Sequence, residues 1–451
     1  MTSATNGLGE TAAFAQWAAS ARFDDLPAPV RHEVQRALLN YLGCAMHGSR
    51  HPTSIVFRDS LSEFSGAGQA TVIGVHHKAN IFHAALANAL HAAVDAFCDT
   101  HAEAIIHPSA PVMAAALALA ELQRVQGRDL VLAMALGLEA ACRISKAISV
   151  TPARGSIGWL QTGVAGGIGA AVAAGALLGL DAQRMAAAMG IAASLAGGLR
   201  VSMGTMTTPL VHAQGAETGL RAACLAKSGF TGPMDAIEAE HGFAQMFAVE
   251  PDLGHLTRGL GEHFETLALT YKAYPCGIVA HPIIDAALQL WSRPVDATAI
   301  ERVEAHVHPS AAKLTGRQHP KDSNEAQFSL HHWVAVALIH GTARIADALP
   351  VRLTDPAVTA LRERIEAVAD ASMAADAATL TATLRDGRKI TIEVDHCKGS
   401  IRHPLSDADI EFKFQGLVAS EHFDEAAITG IMRMCWHVSD LEDVGRLLQW
   451  H

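Results

Sequence analysis

Residues 95–112, DAFCDTHAEAIIHPSAPV, gather polar side chains within a chain that is otherwise rich in Ala and Leu. The segment places a carboxylate, a hydroxyl and two imidazoles close together, at Asp99, Thr100, His101 and His107. Imidazoles transfer protons near neutral pH, and a neighbouring carboxylate or hydroxyl can orient them. Two interpretations are open: a reaction site, or a surface loop in which Asp99 and Ser109 cap a helix.

Two further segments combine groups that suit an anionic ligand. In RVSMGTMTTPLVHAQG (200–215), Arg200 precedes a line of small hydroxyls, and guanidinium groups bind carboxylates in a bidentate manner. The alternative is a linker whose Thr residues cap a helix. YKAYPCGIVAHP (271–282) lies where the predicted helical body gives way to the α+β part, and ligand sites favour such junctions. Its polar or reactive side chains are Lys272, Tyr274, Cys276 and His281. The alternative is a hinge with a buried Tyr and an ordinary helical His.

A fourth segment, NEAQFSLHHWVAVAL (324–338), favours a structural interpretation, with Ser329 as a helix cap and His331 and His332 exposed. It lacks HExxH spacing, so we predict no metal.

The stretch GGIGAA has neither the preceding strand nor the following acid of a dinucleotide site, so we predict no cofactor. Cys276 has no adjacent base, and thiol catalysis is not expected.

The elements that must position these groups are mainly helices. Apolar periodicity and Gly or Pro punctuation predict helices over 79–98, 109–125, 128–149, 161–178, 182–197 and 212–228, with further helices at 407–418, 424–434 and 439–449. Alternating residues predict a strand at 301–309 and a hairpin at 379–397 around Asp386-Gly387. The expected fold is mainly α with a smaller α+β domain. Residues 1–265 and 401–451 would form the all-helical large domain, and 266–400 the small one.

Composition limits the partners and the compartment. The chain has 451 residues, of which 50% are hydrophobic and 18% charged, and a net charge of −11 without a basic cluster. Nucleic acid and anionic membranes are therefore not expected as partners. There is no secretion signal and no apolar run typical of a membrane span. The seven cysteines are scattered without CxxC spacing, which fits a reducing cytoplasm.

Several stretches in this order resemble the MmgE/PrpD family, which contains 2-methylcitrate dehydratases, cis-aconitate decarboxylases and iminodisuccinate epimerase. They are LPAPVRHEVQRALLNYLGCAMHGS, HPSAPVMAAALALAE, GALLGLDAQRMAAAMGIAASLAGGL, GLRAACLAKSGFTGP, YKAYPCGIVAHPIIDAAL, EAQFSL and KGSIRHPLSDADIEFKF. The resemblance spans nearly the whole chain. It implies a large helical domain built from both chain ends, a smaller α+β domain, a cleft between the two, and a homodimer.

The resemblance also transfers to individual positions. Family motifs are matched by Asp99, Thr100, His101, His107, Lys272, Tyr274 and His281. Other positions depart from the family pattern: Ala96 and Cys98 replace carboxylates, Leu160 and Val211 replace His, Thr208 replaces a Lys, and His332 replaces a Tyr. Each lost charged contact removes roughly 1.5–3 kcal/mol of binding. His212 and Asp95 stand next to two of the altered positions and could substitute for the missing groups.

The resemblance implies a cofactor-independent enzyme that removes a proton next to a carboxylate of a small di- or tricarboxylate. Dehydration of the 2-methylcitrate type is the default expectation. His107 would be the base and His281 the acid or a second base, while Thr100 and Asp99 would orient the base or the substrate. Carboxylates and other substrate groups would contact Arg200, Lys272, Tyr274, His101, Thr208 and His212. The alternatives are an epimerase, a decarboxylase, and a non-catalytic protein that binds a carboxylate.

Overall fold

The structure is a computed structural model that describes residues 8–75, 77–149, 158–419 and 424–449. Its first half is helical. The longer helices of this half are α1 Glu10–Ser20, α2 Ala28–Gly48, α3 Pro52–Leu61, α4 Ile81–Ala93, α5 Ser109–Gln123, α6 Gly127–Ser149, α7 Gln161–Leu177, α8 Ala182–Ser194 and α9 Thr207–Lys227. Short helices α10 Phe243–Phe247 and α11 Gly254–Thr257 follow. The sequence prediction of a helical body is confirmed.

Small residues allow the central helices to approach closely. The Gly- and Ala-rich α7 is buried along most of its length and packs against α5, α6 and α9. A Cβ atom at Gly219 of α9 would lie 2.3 Å from the carbonyl oxygen of Gly167 in α7. The glycines cost helix propensity, roughly 1 kcal/mol each relative to Ala, and close contact between the helices offsets that cost.

The second half contains a mixed sheet covered by helices. Strands β5 Ile300–Val307, β6 Ile365–Ala369, β7 Ala378–Leu384 and β8 Lys389–Val394 pair in the order β6-β5-β7-β8, and only β5 and β6 are parallel. The accompanying helices are α12 His281–Trp291, α13 Pro309–Thr315, α14 Ser323–Ala326, α15 Leu330–His340, α16 Pro350–Leu353 and α17 Pro356–Arg362. The predicted strand and hairpin are confirmed, with Gly387 at φ 83° in the turn.

The chain then returns to the helical body through α18 Asp407–Val418 and α19 Glu425–Trp436. The predicted third helix at 439–449 is instead two 3-10 segments, Val438–Asp440 and Val444–Leu448. One hydrophobic core contains buried residues from Phe14 to Tyr271 and from Leu405 to Leu448, and the other contains residues from Cys276 to Cys397. The two cores resemble the expected division into 1–265 with 401–451 and 266–400, except that Leu269 and Tyr271 pack in the first core; the division stays a prediction.

Two short two-stranded sheets complete the architecture. Strand β1, Ala70–Val72, pairs with β2, His77–Ala79, and β3, Asp99–His101, pairs with β4, Leu269–Tyr271. None of the helices in the described ranges is long and apolar enough to cross a membrane. Residues 1–7, which begin the stretch inspected for a secretion signal, lie outside the described residues.

Candidate functional site

The polar segment at 99–101 is a buried strand, so the surface-loop interpretation is wrong for these residues. Asp99, Thr100 and His101 are at most 2% exposed and pair antiparallel with β4, with Thr100 opposite Thr270. The Thr270 hydroxyl donates to the Thr100 carbonyl at 2.7 Å. Pairing of β3 with β4 brings the 95–107 segment next to the 271–281 segment, although some 170 residues separate them along the chain.

His107 is held in one orientation by hydrogen bonds to β3 and to the start of α7. Its Nδ1 lies 2.9 Å from the Asp99 carbonyl oxygen and 3.0 Å from the Thr100 hydroxyl oxygen. Because a carbonyl oxygen only accepts hydrogen bonds, Nδ1 carries the hydrogen and Nε2 keeps its lone pair. The backbone N–H of His107 donates to the Thr162 hydroxyl at the start of α7. The ring therefore presents a basic nitrogen in a fixed orientation.

His212, near the start of α9, lies beside His107 with the ring centroids 5.7 Å apart. Its side chain is buried, and its Nδ1 has neither a hydrogen-bond partner nor solvent contact among the described residues. Val211 at the neighbouring position packs against Gly163 and Gly198. The geometry thus brings His212, rather than residue 211, next to His107.

Lys272 and His281 belong to the segment that follows β4. The Lys272 ammonium donates to the Ala96 carbonyl at 2.9 Å and is 2% exposed. His281 begins α12, and its Nε2 donates to the Tyr274 carbonyl at 3.1 Å, which leaves Nδ1 buried without a partner among the described residues. The Tyr274 hydroxyl donates to Asp285, so it is engaged within the small half.

A second buried lysine, Lys413 of α18, was missed by the sequence analysis. Its ammonium donates to the carbonyls of Phe97 at 2.7 Å and Lys272 at 2.9 Å. A signal for it was present, because Ile410, Lys413, Phe414 and Leu417 follow the i, i+3, i+4, i+7 spacing of a buried helix face. A lysine on such a face must place its charge in the protein interior.

Arg200 is bound to the segment that leads into α7, and Thr208 is bound within its own segment. Arg200 donates from Nε to the Trp159 carbonyl and from Nη2 to the Gln161 side chain at 2.9 Å. Gln161 was also missed by the sequence analysis, because its only signal is a polar residue at a helix start. The Thr208 hydroxyl donates to the Ser202 carbonyl at 2.7 Å. Arg200 is close enough to His107 for its charge to lower the pKa of that imidazole.

Other polar residues singled out in the sequence have structural partners. His101 is fully buried, with Nε2 at 3.0 Å from Glu265 and Nδ1 accepting from the Ala104 N–H. A substrate contact at His101 therefore gains no support. Asp95 pairs with His47 at 2.8 Å instead of approaching His107. Ser329 caps α15 as predicted, but His331 and His332 are buried rather than exposed.

The three imidazoles of this cluster are uncharged at neutral pH. Burial and the positive charge of Lys272 lower the pKa of His212 and of His281 to about 3, and lower that of His107 well below its ordinary value. Burial raises the pKa of Asp99 to about 6, against the hydrogen bond that its Oδ2 accepts from Ser109 at 2.6 Å. Lys272 is therefore near enough to each of the three rings for its charge to act on it.

Positive charge exceeds negative charge in this region. No carboxylate oxygen of the described residues lies within 4.0 Å of the Lys272 or Lys413 nitrogen. Asp99 Oδ1 is buried and has no partner in the described part of the chain. No group of three or more His, Cys, Asp or Glu that could hold a metal occurs among the described residues. The cluster can bind an anion and move protons with uncharged imidazoles.

Comparisons with known proteins agree with this architecture. The chain is 27% identical to a cis-aconitate decarboxylase of Aspergillus terreus over 98% of its own length and 95% of that protein. It is 25% identical to a cis-aconitate decarboxylase-like protein of Aspergillus oryzae over 97% and 96% of the two chains. It is 27% identical to the human cis-aconitate decarboxylase over 75% and 72%. The MmgE/PrpD N-terminal domain matches residues 12–255 and the MmgE/PrpD C-terminal domain matches residues 274–438. The chain therefore belongs to the MmgE/PrpD family.

Proposed function

We propose that this enzyme is a carboxy-lyase that acts on a small unsaturated di- or tricarboxylate, and that His107 transfers the proton next to a carboxylate. The observation that carries the proposal is the contact between His107 and the buried His212, with Lys272 near enough to lower the pKa of both rings and of His281. Pairing of β3 with β4 brings the segment of His107 next to the segment of Lys272.

The charge balance of the cluster supports a substrate with at least two carboxylates. Lys272 and Lys413 are buried without a carboxylate partner, and Arg200 adds a third cation near His107. A buried charge without a partner is costly, so an anionic ligand would stabilise this arrangement. Asp99, whose pKa is about 6, is the acidic group that faces these cations.

The proton transfer follows from the orientation of His107. Its Nδ1–H is fixed on the Asp99 carbonyl, so Nε2 is the nitrogen that accepts or delivers a proton. When a polycarboxylate binds, its negative charge raises the pKa of the imidazole and favours the protonated form. The carbon–carbon bond to the departing carboxylate then breaks, its electron pair forms a new double bond, the original double bond shifts, and the far carbon takes the proton from Nε2. The imidazole regains a proton from water.

Decarboxylation is favoured over dehydration by the full-length relatives, one named cis-aconitate decarboxylase and the other a cis-aconitate decarboxylase-like protein. A departure from the family pattern also fits it. Thr208 supplies no charge at the position where the family pattern has a Lys. A carboxylate that leaves as neutral CO2 reacts faster where cations stabilise it less. Dehydration of the 2-methylcitrate type has weaker support, because it also needs an acid for the departing hydroxyl.

Epimerisation is a second candidate, and the His107–His212 pair favours it. With ring centroids 5.7 Å apart, one uncharged imidazole could take the proton from a carbon while the other, protonated from water, delivers a proton to the same carbon, and no leaving group is needed. We also keep the homodimer as a proposal from the family resemblance, to be tested by analytical ultracentrifugation of the purified chain.

The proposal is tested by incubating the purified enzyme with cis-aconitate, 2-methylcitrate and a simple chiral dicarboxylate in D2O. NMR would follow the products and a sealed cell the CO2. CO2 release with one deuterium in the product supports the proposal. Deuterium exchange without CO2 supports the epimerase, and loss of water supports the dehydratase. If these acids raise Tm but none is turned over, the protein is a non-catalytic carboxylate binder and the proposal is wrong.

A further inference from the structure

Lys413 is a buried cation outside the motifs that carry the proposed reaction. It lies on the face of α18 that packs on the helical core, between Ile410 and Phe414, and it is 9% exposed. Burying a lysine is costly unless its ammonium has good acceptors. An ordinary core position of this kind would hold Leu or Met, so the charge requires an explanation.

The ammonium of Lys413 joins the two segments that form the candidate site. One hydrogen bond goes to the Phe97 carbonyl, two residues before Asp99, and the other goes to the Lys272 carbonyl, just after β4. Lys272 itself donates to the Ala96 carbonyl, so two lysines bind consecutive carbonyls of the same loop. The ammonium also lies 3.8 Å from the centroid of the Phe97 ring, a cation–π contact.

The loop that these lysines hold has a strained backbone. Ala96 has φ 48°, a left-handed conformation that is uncommon for a residue other than Gly. Such a conformation persists where the surroundings fix it. Hydrogen bonds to the carbonyls of residues 96 and 97 are contacts of that kind, and the loop leads directly into Asp99 and Thr100, which orient His107.

We propose that Lys413 is a positioning residue of the reaction site, whose ammonium fastens the residue 96–97 loop to the backbone of Lys272 and so holds His107 and Lys272 in their mutual geometry. Only the expected effect of Lys413 on turnover rests on the proposed function. The fastening itself is a property of the ligand-free protein and can be measured without a substrate.

The charge of Lys413 also acts on the groups around it. Burial lowers the pKa of Lys413 to about 8, and its charge contributes to the low pKa of His281. The titratable or charged groups that face it come from α2, the segment around β3, the end of β4 and the start of α12; they are Cys44, Cys98, Asp99, Lys272 and His281.

Hydrogen–deuterium exchange of the ligand-free protein tests the fastening. In Lys413→Met, we expect amides in 96–101 and 269–274 to exchange about tenfold faster, while the β7–β8 hairpin is unchanged. Lys413→Arg keeps the charge and should restore most of the protection. Lys227→Met is the matched control, because Lys227 also donates to a backbone carbonyl, that of Leu178, but far along α9. Unchanged exchange at both segments in Lys413→Met would overturn the inference, whatever the activity.

Two further readouts separate positioning from general stability. Lys413→Met should lower kcat more than it raises KM, because a displaced His107 impairs turnover more than substrate binding. If Lys413→Met does not fold, hydrogen–deuterium exchange of the unaltered protein at several pH values replaces it as the test. After correction for intrinsic exchange rates, protection of the amides in 96–101 and 269–274 should fall as the pH rises through about 8, because Lys413 loses its charge there. In Lys413→Arg that fall should disappear, and its persistence would contradict the inference. Altered exchange without turnover of any polycarboxylate would refute the proposed function but not the fastening.

Discussion

The imidazole rings of His107 and His212 face each other with centroids 5.7 Å apart and planes inclined by 41°. They come from different elements: His107 precedes α5, and His212 lies in the first turns of α9. His107 Nδ1 is bound to the Asp99 carbonyl, and His212 Nδ1 has no partner among the described residues. The pair therefore combines one imidazole whose orientation is fixed by a hydrogen bond with a second imidazole whose Nδ1 is free to bind a ligand.

Replacement of His212 by Asn should change the titration of His107. His212 contributes to the low pKa of His107, and His107 delivers its proton as the imidazolium, so loss of His212 should move the alkaline limb of the kcat profile upward, and kcat should fall about tenfold. The profile is measured from about pH 5 to 8. His331→Asn removes a buried imidazole of the small half and should leave the profile unchanged. A profile in His212→Asn that matches the unaltered enzyme would rule out coupling between the two rings.

Replacement of Lys272 by Met should weaken the binding of substrate carboxylates. The loss of one charge-assisted contact predicts a rise in Kd of roughly 10- to 150-fold. The alkaline limb of the activity profile should also move upward, because Lys272 lowers the pKa of His107, which must be protonated to deliver its proton. Calorimetry with an unreactive dicarboxylate measures the first effect. Lys313→Met, on an exposed position of α13, is the control, and equal affinities in the two variants would refute the assignment.

Restoring a lysine at position 208 should favour tricarboxylates. Thr208 stands where the family pattern has a Lys, and its hydroxyl bonds only to its own segment, at the Ser202 carbonyl. Thr208→Lys should improve kcat/KM for a tricarboxylate relative to a dicarboxylate by about tenfold or more. Thr208→Met has similar bulk without charge and serves as the control. If the two variants show the same preference, the position does not contact the substrate.

The buried histidines should make the protein less stable in acid. The pKa of His91, His212 and His281 is about 3 in the folded protein, against 6.5 as the ordinary value. The unfolded chain therefore takes up more protons below about pH 6.5, and each site lowers the free energy of unfolding by at most about 1.4 kcal/mol per pH unit there. Asp99 has the opposite effect: because its pKa is raised to about 6 in the folded protein, its protonation below that pH increases the free energy of unfolding.

Urea denaturation from about pH 7.5 to 4.5 measures this dependence. His91 lies outside the site and bonds to the Ile73 carbonyl, so His91→Asn should flatten the slope without altering the pH profile of activity. A stability that is constant or rises toward pH 4.5 would show that these imidazoles are not buried and uncharged.

Local patterns were sufficient to predict the elements but not every contact. The hairpin around Asp386-Gly387 and the helix α7, rich in small residues, are each encoded by a short stretch of sequence. Both occur where they were predicted. The burial of Asp99–His101 could not be predicted in this way, because it depends on pairing with β4, 170 residues away. The same reason applies to Asp95, whose bond to His47 no local pattern indicates. Lys413 could have been found from its place on an apolar helix face.

The central claim, that His107 transfers the proton, is tested most directly by deuterium incorporation from D2O into the product of His107→Asn. Asn keeps a side-chain N–H near the Asp99 carbonyl but cannot carry a proton. We predict that incorporation and turnover fall together by about 10²- to 10⁴-fold while Kd for a dicarboxylate changes less than about threefold. Turnover and incorporation in His107→Asn within threefold of the unaltered enzyme would contradict the claim.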